Sequence, residues 1–163
     1  MVKNVYFAFH FEKDFSRAAQ IAKVWEAKFN KKVAGFFPPS LWDEVGKQGE
    51  AAIKYMIKKE LKNTSVTVFL IGAKTSRRPW VNYELIRSYQ QGNGLLAIYI
   101  HKMRDKKNKT SRKGSNILRN HVVEKHGKKI RLDGLFPTYD WIKDNGKSHF
   151  EEWVEEAARV AGN

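Results

Sequence analysis

The chain contains no cysteine. That excludes disulfides, thiolate-bound zinc, iron–sulfur clusters and a thiol nucleophile together, and it fits a reducing compartment. No apolar run approaches the roughly 18–20 residues needed to cross a bilayer, which excludes a spanning helix. The opening MVKNVYFAFHF has one lysine and no small-residue cleavage site. It reads as a first strand rather than a secretory leader, so a cytoplasmic location is expected. Phosphate-cradling glycine motifs are missing too: neither GxGxxG after the first strand nor GxxxxGK followed by Ser or Thr occurs, so the chain carries neither signature of nucleotide binding. A receiver-type phosphoacceptor would need an aspartate closing the third strand, where Ile71-Gly72 stands. Among the five histidines, His10, His101, His121, His126 and His149, there is no HExxH. His121 and His126 are too weak a pair to argue a metal site, and none is expected.

Acidic residues are scarce, 17 against 31 Lys and Arg, for a net charge of +14. The excess invites a nucleic-acid or anionic-ligand reading. Its distribution narrows that reading: Lys102 to Asp133 holds 12 basic and three acidic residues, +9 of the total. What the chain does have is 42% hydrophobic and 13% aromatic residues over 163 positions, enough for one folded domain without staples. The expected organisation is a single domain over 1–163 with a basic insertion at about 102–135.

Periodicity predicts alternating strands and helices. Val5, Phe7, Phe9 and Phe11 alternate with Tyr6, Ala8 and His10, a strand covered on both faces. An amphipathic helix capped by Asp14 runs to Phe29, and a short second strand spans 33–37 before Pro38-Pro39 ends it. The turn at 40–44 leads into one helix reaching Leu61. A central parallel strand follows at 65–71, then a helix from Pro79 to Gln91, a strand at 95–100, an edge strand at 136–142 and a C-terminal helix. The segment between the last two strands shows no sustained apolar period beyond a short helix near 116–123 and reads as an excursion, mobile in part. The fold class is therefore α/β: a flavodoxin-like, doubly wound, mostly parallel five-stranded sheet with helices on both faces.

The chemistry concentrates in 64–91, TSVTVFLIGAKTSRRPWVNYELIRSYQQ. A strand end, a loop and a helix start are where open α/β sheets place ligands. Glu84 lies one turn into that helix, where the dipole favours a carboxylate. Trp80, Tyr83 and Glu84 share a face by i, i+3, i+4 spacing, and a carboxylate beside aromatic rings suits sugar hydroxyls with a ring stacked alongside. The plainer alternative is a surface glutamate paired with Arg77, Arg78 or Arg87. His10, at a strand's C-terminal end, is a second candidate by position.

The stretches VYFAFHF, GFFPPSLWDE, KNTSVTVFLIGAKTSRRPWVNYE and GNGLLAIYIH together closely resemble the TIR-like proteins of the Thoeris anti-phage system, the ThsB family. The resemblance covers roughly residues 4 to 105, the YDW element and the last helix. It implies a flavodoxin-like TIR fold that consumes NAD+ and makes a cyclic ADP-ribose-type signal for a downstream effector, with a phage-derived trigger upstream. It implies that Glu84 is catalytic and that Tyr6, Phe9, His10, Phe37, Ser40 and Trp42 wall the nucleotide, with Trp80 and Tyr83 beside Glu84 and Arg77 and Arg78 near the pyrophosphate. NAD+ is then the substrate and no separate cofactor is needed. Assembly into a homo-oligomer stays open, and no membrane partner is expected. Ala8 departs from the family, where serine is common, and 106–135 does not resemble it. A non-catalytic TIR-like scaffold is the alternative, and a basic nucleic-acid module a lesser one.

Overall fold

The computed structural model describes residue 2 and residues 4–162. Its main sheet has four parallel strands in the order β1 (Val5–Ala8), β2 (Val66–Ile71), β3 (Gly94–Tyr99) and β6 (Thr138–Asp140). The register pairs Val5 with Val66, Val66 with Gly94, and Ala97 with Thr138. Nearly every side chain of β1, β2 and β3 is buried, which is why the sequence shows apolar runs instead of alternation.

The expected second strand is reduced to one parallel bridge, Tyr6 to Ala34, with Phe7 N–H donating to Ala34 O and Ala34 N–H to Val5 O. Gly35 (φ 72°) turns the chain away immediately, and Pro38 and Pro39 cannot donate to a ladder. The bridge still occupies the outer place beside β1. The chain therefore leaves β1 toward opposite sides, to 33–37 on one and β2 on the other. The C-terminal ends of β1 and β2 flank the switch point, where a ligand crevice belongs.

Helix α1 (Phe11–Phe29) starts earlier than expected. His10, not Asp14, is its N-cap: Lys13 N–H donates to His10 Nδ1 at 3.2 Å. The expected single helix after the prolines is two, α2 (Pro39–Gly46) and α3 (Glu50–Leu61). Gly49, at φ 105°, separates them in a conformation that favours glycine. Helix α4 (Pro79–Gln91) begins at Pro79 as expected, and α6 (Gly146–Ala161) closes the fold. Phe7 meets Phe150 of α6, which also contacts Trp25 of α1, while Tyr6 points to the opposite face and reaches α4. Helices thus cover both sides of the sheet. No helix among the described residues is long and apolar enough to cross a membrane.

Strand β3 and helix α6 meet at backbone distance. A Cβ on Gly94 would lie 2.3 Å from the carbonyl oxygen of Ala157 and 2.5 Å from its carbon. Neither is a flexible side-chain end, so β3 and α6 would have to separate. Gly94→Ala should therefore destabilise the protein by about 2 kcal/mol or more, through overpacking. Thermal unfolding should report a fall of roughly 5 °C, and an unchanged midpoint would contradict the contact.

The excursion is better anchored than expected. Met103, Ile117, Leu118 and Leu132 are buried in the core. Its centre is a two-stranded antiparallel hairpin, β4 (Val122–Lys125) with β5 (Lys128–Arg131), followed by the short α5 (Leu132–Leu135). The hairpin turn is His126-Gly127, both at positive φ, which suits a two-residue connection between twisted strands. The helix expected near 116–123 is a single 3-10 turn over Ile117–Asn120.

Candidate active site

The loop from β2 to α4 is tied before it reaches the site. Gly72 N–H donates to Thr75 Oγ1 at 2.8 Å, and that hydroxyl donates to Leu70 O at 3.3 Å. The chain then extends at Arg78, whose carbonyl accepts from Val81 and Asn82, and Pro79 fills the first helical position. This start fixes the turn from which Glu84 projects into the sheet.

Glu84 is 2% exposed, which removes the surface-glutamate reading. Its Oε2 accepts a hydrogen bond from the Tyr6 hydroxyl, across from α4 to β1. Tyr6 is itself fully buried, with Phe37 edge-on at 6.4 Å. Phe37 in turn meets Trp42 edge-on at 5.6 Å. Trp42 stacks on Phe11 at 5.2 Å and 10° between planes. The guanidinium of Arg78 sits 3.8 Å from the Phe11 ring centre and 5.1 Å from that of Trp42. Glu84, Tyr6, Phe37, Trp42, Phe11 and Arg78 therefore form one connected group drawn from β1, α1, α2, α4 and the residues just before α2 and α4.

Burial dominates its electrostatics. Desolvation pushes the Glu84 carboxyl up to about 8 from an ordinary 4.5, against the lowering effects of the Tyr6 hydrogen bond and the Arg78 charge. Desolvation and the adjacent carboxylate raise Tyr6 well above the usual phenol range. Arg78 is lowered by its own burial, with Glu84 and Glu12 opposing. Its Nε is buried without a hydrogen-bond partner among the described residues, and its ion pair to Glu12 is loose at 3.9 Å. Burial and the nearby Arg78 lower His10, in keeping with a neutral ring whose Nδ1 accepts from Lys13.

The other sequence candidates separate. Phe9 lies on the far face of β1, packed with Phe15 and Phe36, because its neighbours of like parity face α1 and α6. It is not brought to Glu84. Ser40 is exposed at the start of α2, and Arg77 is exposed while Arg78 turns inward. Trp80 and Tyr83 touch each other edge-on at 5.5 Å, and Lys54 of α3 lies 5.7 Å from the Tyr83 ring centre. They pack toward α3, beside the helix face that carries Glu84. His121 lies 3.0 Å from Asn82, and His126 forms the hairpin turn.

Phe11 is the residue that sequence reasoning assigned to a strand instead. A cleft of about 570 Å³ opens beside it, also lined by Glu12, Lys13, Pro39, Lys106 and Lys107. That volume suits a ligand of nucleotide size. Lys13, Lys106 and Lys107 outnumber the carboxylates Glu12 and Asp105 in its lining, a balance that suits phosphate groups, and two of the lysines come from the excursion. The only available sequence signal was the density of lysines at 106–109.

The family model for the Thoeris protein ThsB, TIR-like domain, matches residues 6–105. The protein of Bacillus cereus (strain MSX-D12) named "Putative cyclic ADP-D-ribose synthase ThsB1" is 31% identical over 192 aligned positions, covering 94% of this chain and 100% of that one.

Proposed function

The chain belongs to the TIR-like ThsB family of the Thoeris system, and on that premise we propose that it consumes NAD+, with Glu84 as the catalytic carboxylate. The product is a cyclic ADP-ribose-type signal, read by a downstream effector, and the enzyme works in the cytoplasm after a phage-derived trigger. The observation that carries this reading is a buried carboxylate linked through Tyr6 and Phe37 to a stacked aromatic pair at the switch point of the sheet.

The chemistry follows from those groups. The bond between C1′ of the ribose and the nicotinamide nitrogen breaks with its electron pair leaving on nitrogen, so the departing pyridinium becomes neutral nicotinamide. No strong acid is required. The sugar passes through an oxocarbenium-like state, as in glycoside hydrolysis. An ionised Glu84 held against the ribose hydroxyls orients the ring and offsets the developing charge. A nucleophilic atom of the same ADP-ribose then bonds to C1′ and releases its proton to solvent, closing the ring.

Glu84 is sealed from solvent, and Arg78 covers the aromatic pair. An opening step must precede binding, in which Arg78 leaves Phe11 and Trp42 and meets the pyrophosphate near the lysine rim of the cleft. Approach of the cationic pyridinium favours the ionised form of Glu84, reversing the effect of burial. His10, Phe37 and Trp42 line the approach, with Trp80 and Tyr83 supporting α4.

Two measurements test this. Mass spectrometry of products from NAD+ incubated with the protein, with and without phage-infected lysate, should show nicotinamide and a cyclic ADP-ribose isomer. Unaltered NAD+ in every arm would sink the reading. In Arg78→Ala, loss of the pyrophosphate contact should raise KM for NAD+ about tenfold with a smaller change in kcat. A change confined to kcat would remove Arg78 from substrate binding.

A further inference from the structure

We propose that the cavity at the β3–β6 end of the sheet is a second ligand site, one that takes the phosphoryl group of a small molecule. It is separate from Glu84 and does not rest on the NAD+ reading. The cavity holds about 330 Å³ and is lined by Tyr99, His101, Lys102, Lys113, Asp140 and Lys143 among others. It lies at the C-terminal ends of β3 and β6, where parallel sheets gather ligands.

Three ammonium groups reach it from three separate pieces of chain: Lys102 just after β3, Lys113 from the excursion and Lys143 from the turn before α6. The carboxylates there are already committed to building that turn. Asp140 Oδ1 accepts from the N–H groups of Ile142 at 3.1 Å and Lys143 at 3.0 Å, and its Oδ2 lies 3.6 Å from Lys102 Nζ. Asp144 Oδ2 accepts from Asp140 N–H at 2.7 Å. Neither stands as an ion-pair partner for Lys113 or Lys143 among the described residues. Lys113 Nζ rests 4.4 Å from the centre of the Tyr99 ring, which holds one cation at the cavity wall. The positive excess is therefore available to an incoming anion.

His101 supplies the independent observation. It is 9% exposed, and its Nδ1 is buried with no hydrogen-bond partner among the described residues. A buried polar atom without a partner costs stability unless something satisfies it. A phosphoryl oxygen can accept from a ring N–H while the lysines neutralise its charge. Burial first, then Lys102 and Lys113, lower the His101 pKa against the opposing charge of Asp140.

The test uses the full chain and two-dimensional amide NMR, titrated separately with inorganic phosphate and with AMP. Saturable shifts at residues 99–102, 111–113 and 140–144 are expected. The double variant Lys113→Glu, Lys143→Glu should weaken binding at least about tenfold by removing charge-assisted contacts. Lys58→Glu with Lys62→Glu, the same charge change at the C-terminal end of α3, should keep the affinity within about twofold if the site and not net charge is responsible. Equal binding of phosphate and AMP supports a site that reads phosphate alone, whereas tighter AMP supports a nucleotide site. Shifts confined to the cleft beside Phe11, shifts absent in both titrations, or equal losses in the two double variants would each overturn the proposal.

Discussion

Glu84→Gln should abolish NAD+ turnover, by about 100-fold or more, because the charge that offsets the oxocarbenium ion is gone. The same variant should remain folded and become the more stable protein at alkaline pH. Glutamine keeps the shape and can still accept from Tyr6, so the hydrogen bond that joins α4 to β1 survives. The carboxylate, by contrast, resists ionisation up to about 8 in the fold but ionises near its ordinary 4.5 in the unfolded chain. The folded state thus holds a proton that the unfolded state releases. That contribution is fully present below about 4.5 and is lost as pH rises through about 8. Unfolding midpoints of the two proteins should be close at pH 4 and should diverge in favour of the variant as pH rises, with the gap level above about 8. A gap that does not change with pH would show that Glu84 is not buried as the structure has it.

Arg17→Ala should be the most damaging substitution outside the site. Arg17 is almost fully buried, and its guanidinium makes three hydrogen bonds, to Asp14 Oδ1 at 2.8 Å, Met103 O at 2.9 Å and Lys109 O at 2.9 Å, with Asp105 Oδ2 farther off at 3.9 Å. It thereby holds the first part of the excursion against α1. Burial already raises the Asp14 carboxyl, and the Arg17 charge and hydrogen bond are the main forces opposing that rise. Removing Arg17 leaves a buried carboxylate without its counter-charge, a loss of about 3–5 kcal/mol. The midpoint should fall by roughly 10 °C, and proteolysis within 104–115 should quicken. The raised Asp14 pKa adds a pH signature: the loss should shrink below the ordinary carboxylate range, where Asp14 is protonated folded and unfolded alike. Adding Asp14→Asn should recover part of the loss. Wild-type stability in Arg17→Ala would mean that the excursion is held by its apolar residues alone.

The architecture was readable because the strands are buried on both faces and the helices on one. The strands read at 65–71 and 95–100 fall on β2 and β3 to within a residue, and Pro79 and Gly92 marked the ends of α4. Where the reading failed, local chemistry outweighed the pattern. Gly35 and the two prolines cut the second strand to a bridge, and Gly49 split a helix whose apolar spacing ran straight through it. The hairpin carries only Val122, Val123 and Ile130 as apolar residues among charges, so its alternation was too thin to register. Glu84 stood out by position, but its burial and its pairing with Tyr6 need residues 78 positions apart to meet. Nothing in a loop sequence separates Arg77 from Arg78, since one rotation of the backbone decides which enters. Phe11 was missed because the strand was read three residues too long, past the histidine that caps α1.

The most direct test of the account is nicotinamide release from NAD+ by wild type and Glu84→Gln, measured side by side with phage-infected lysate present. The account predicts steady release by the wild type and background release by the variant, with both proteins showing cooperative unfolding. Equal release by the two, or none by the wild type under any trigger, would contradict it.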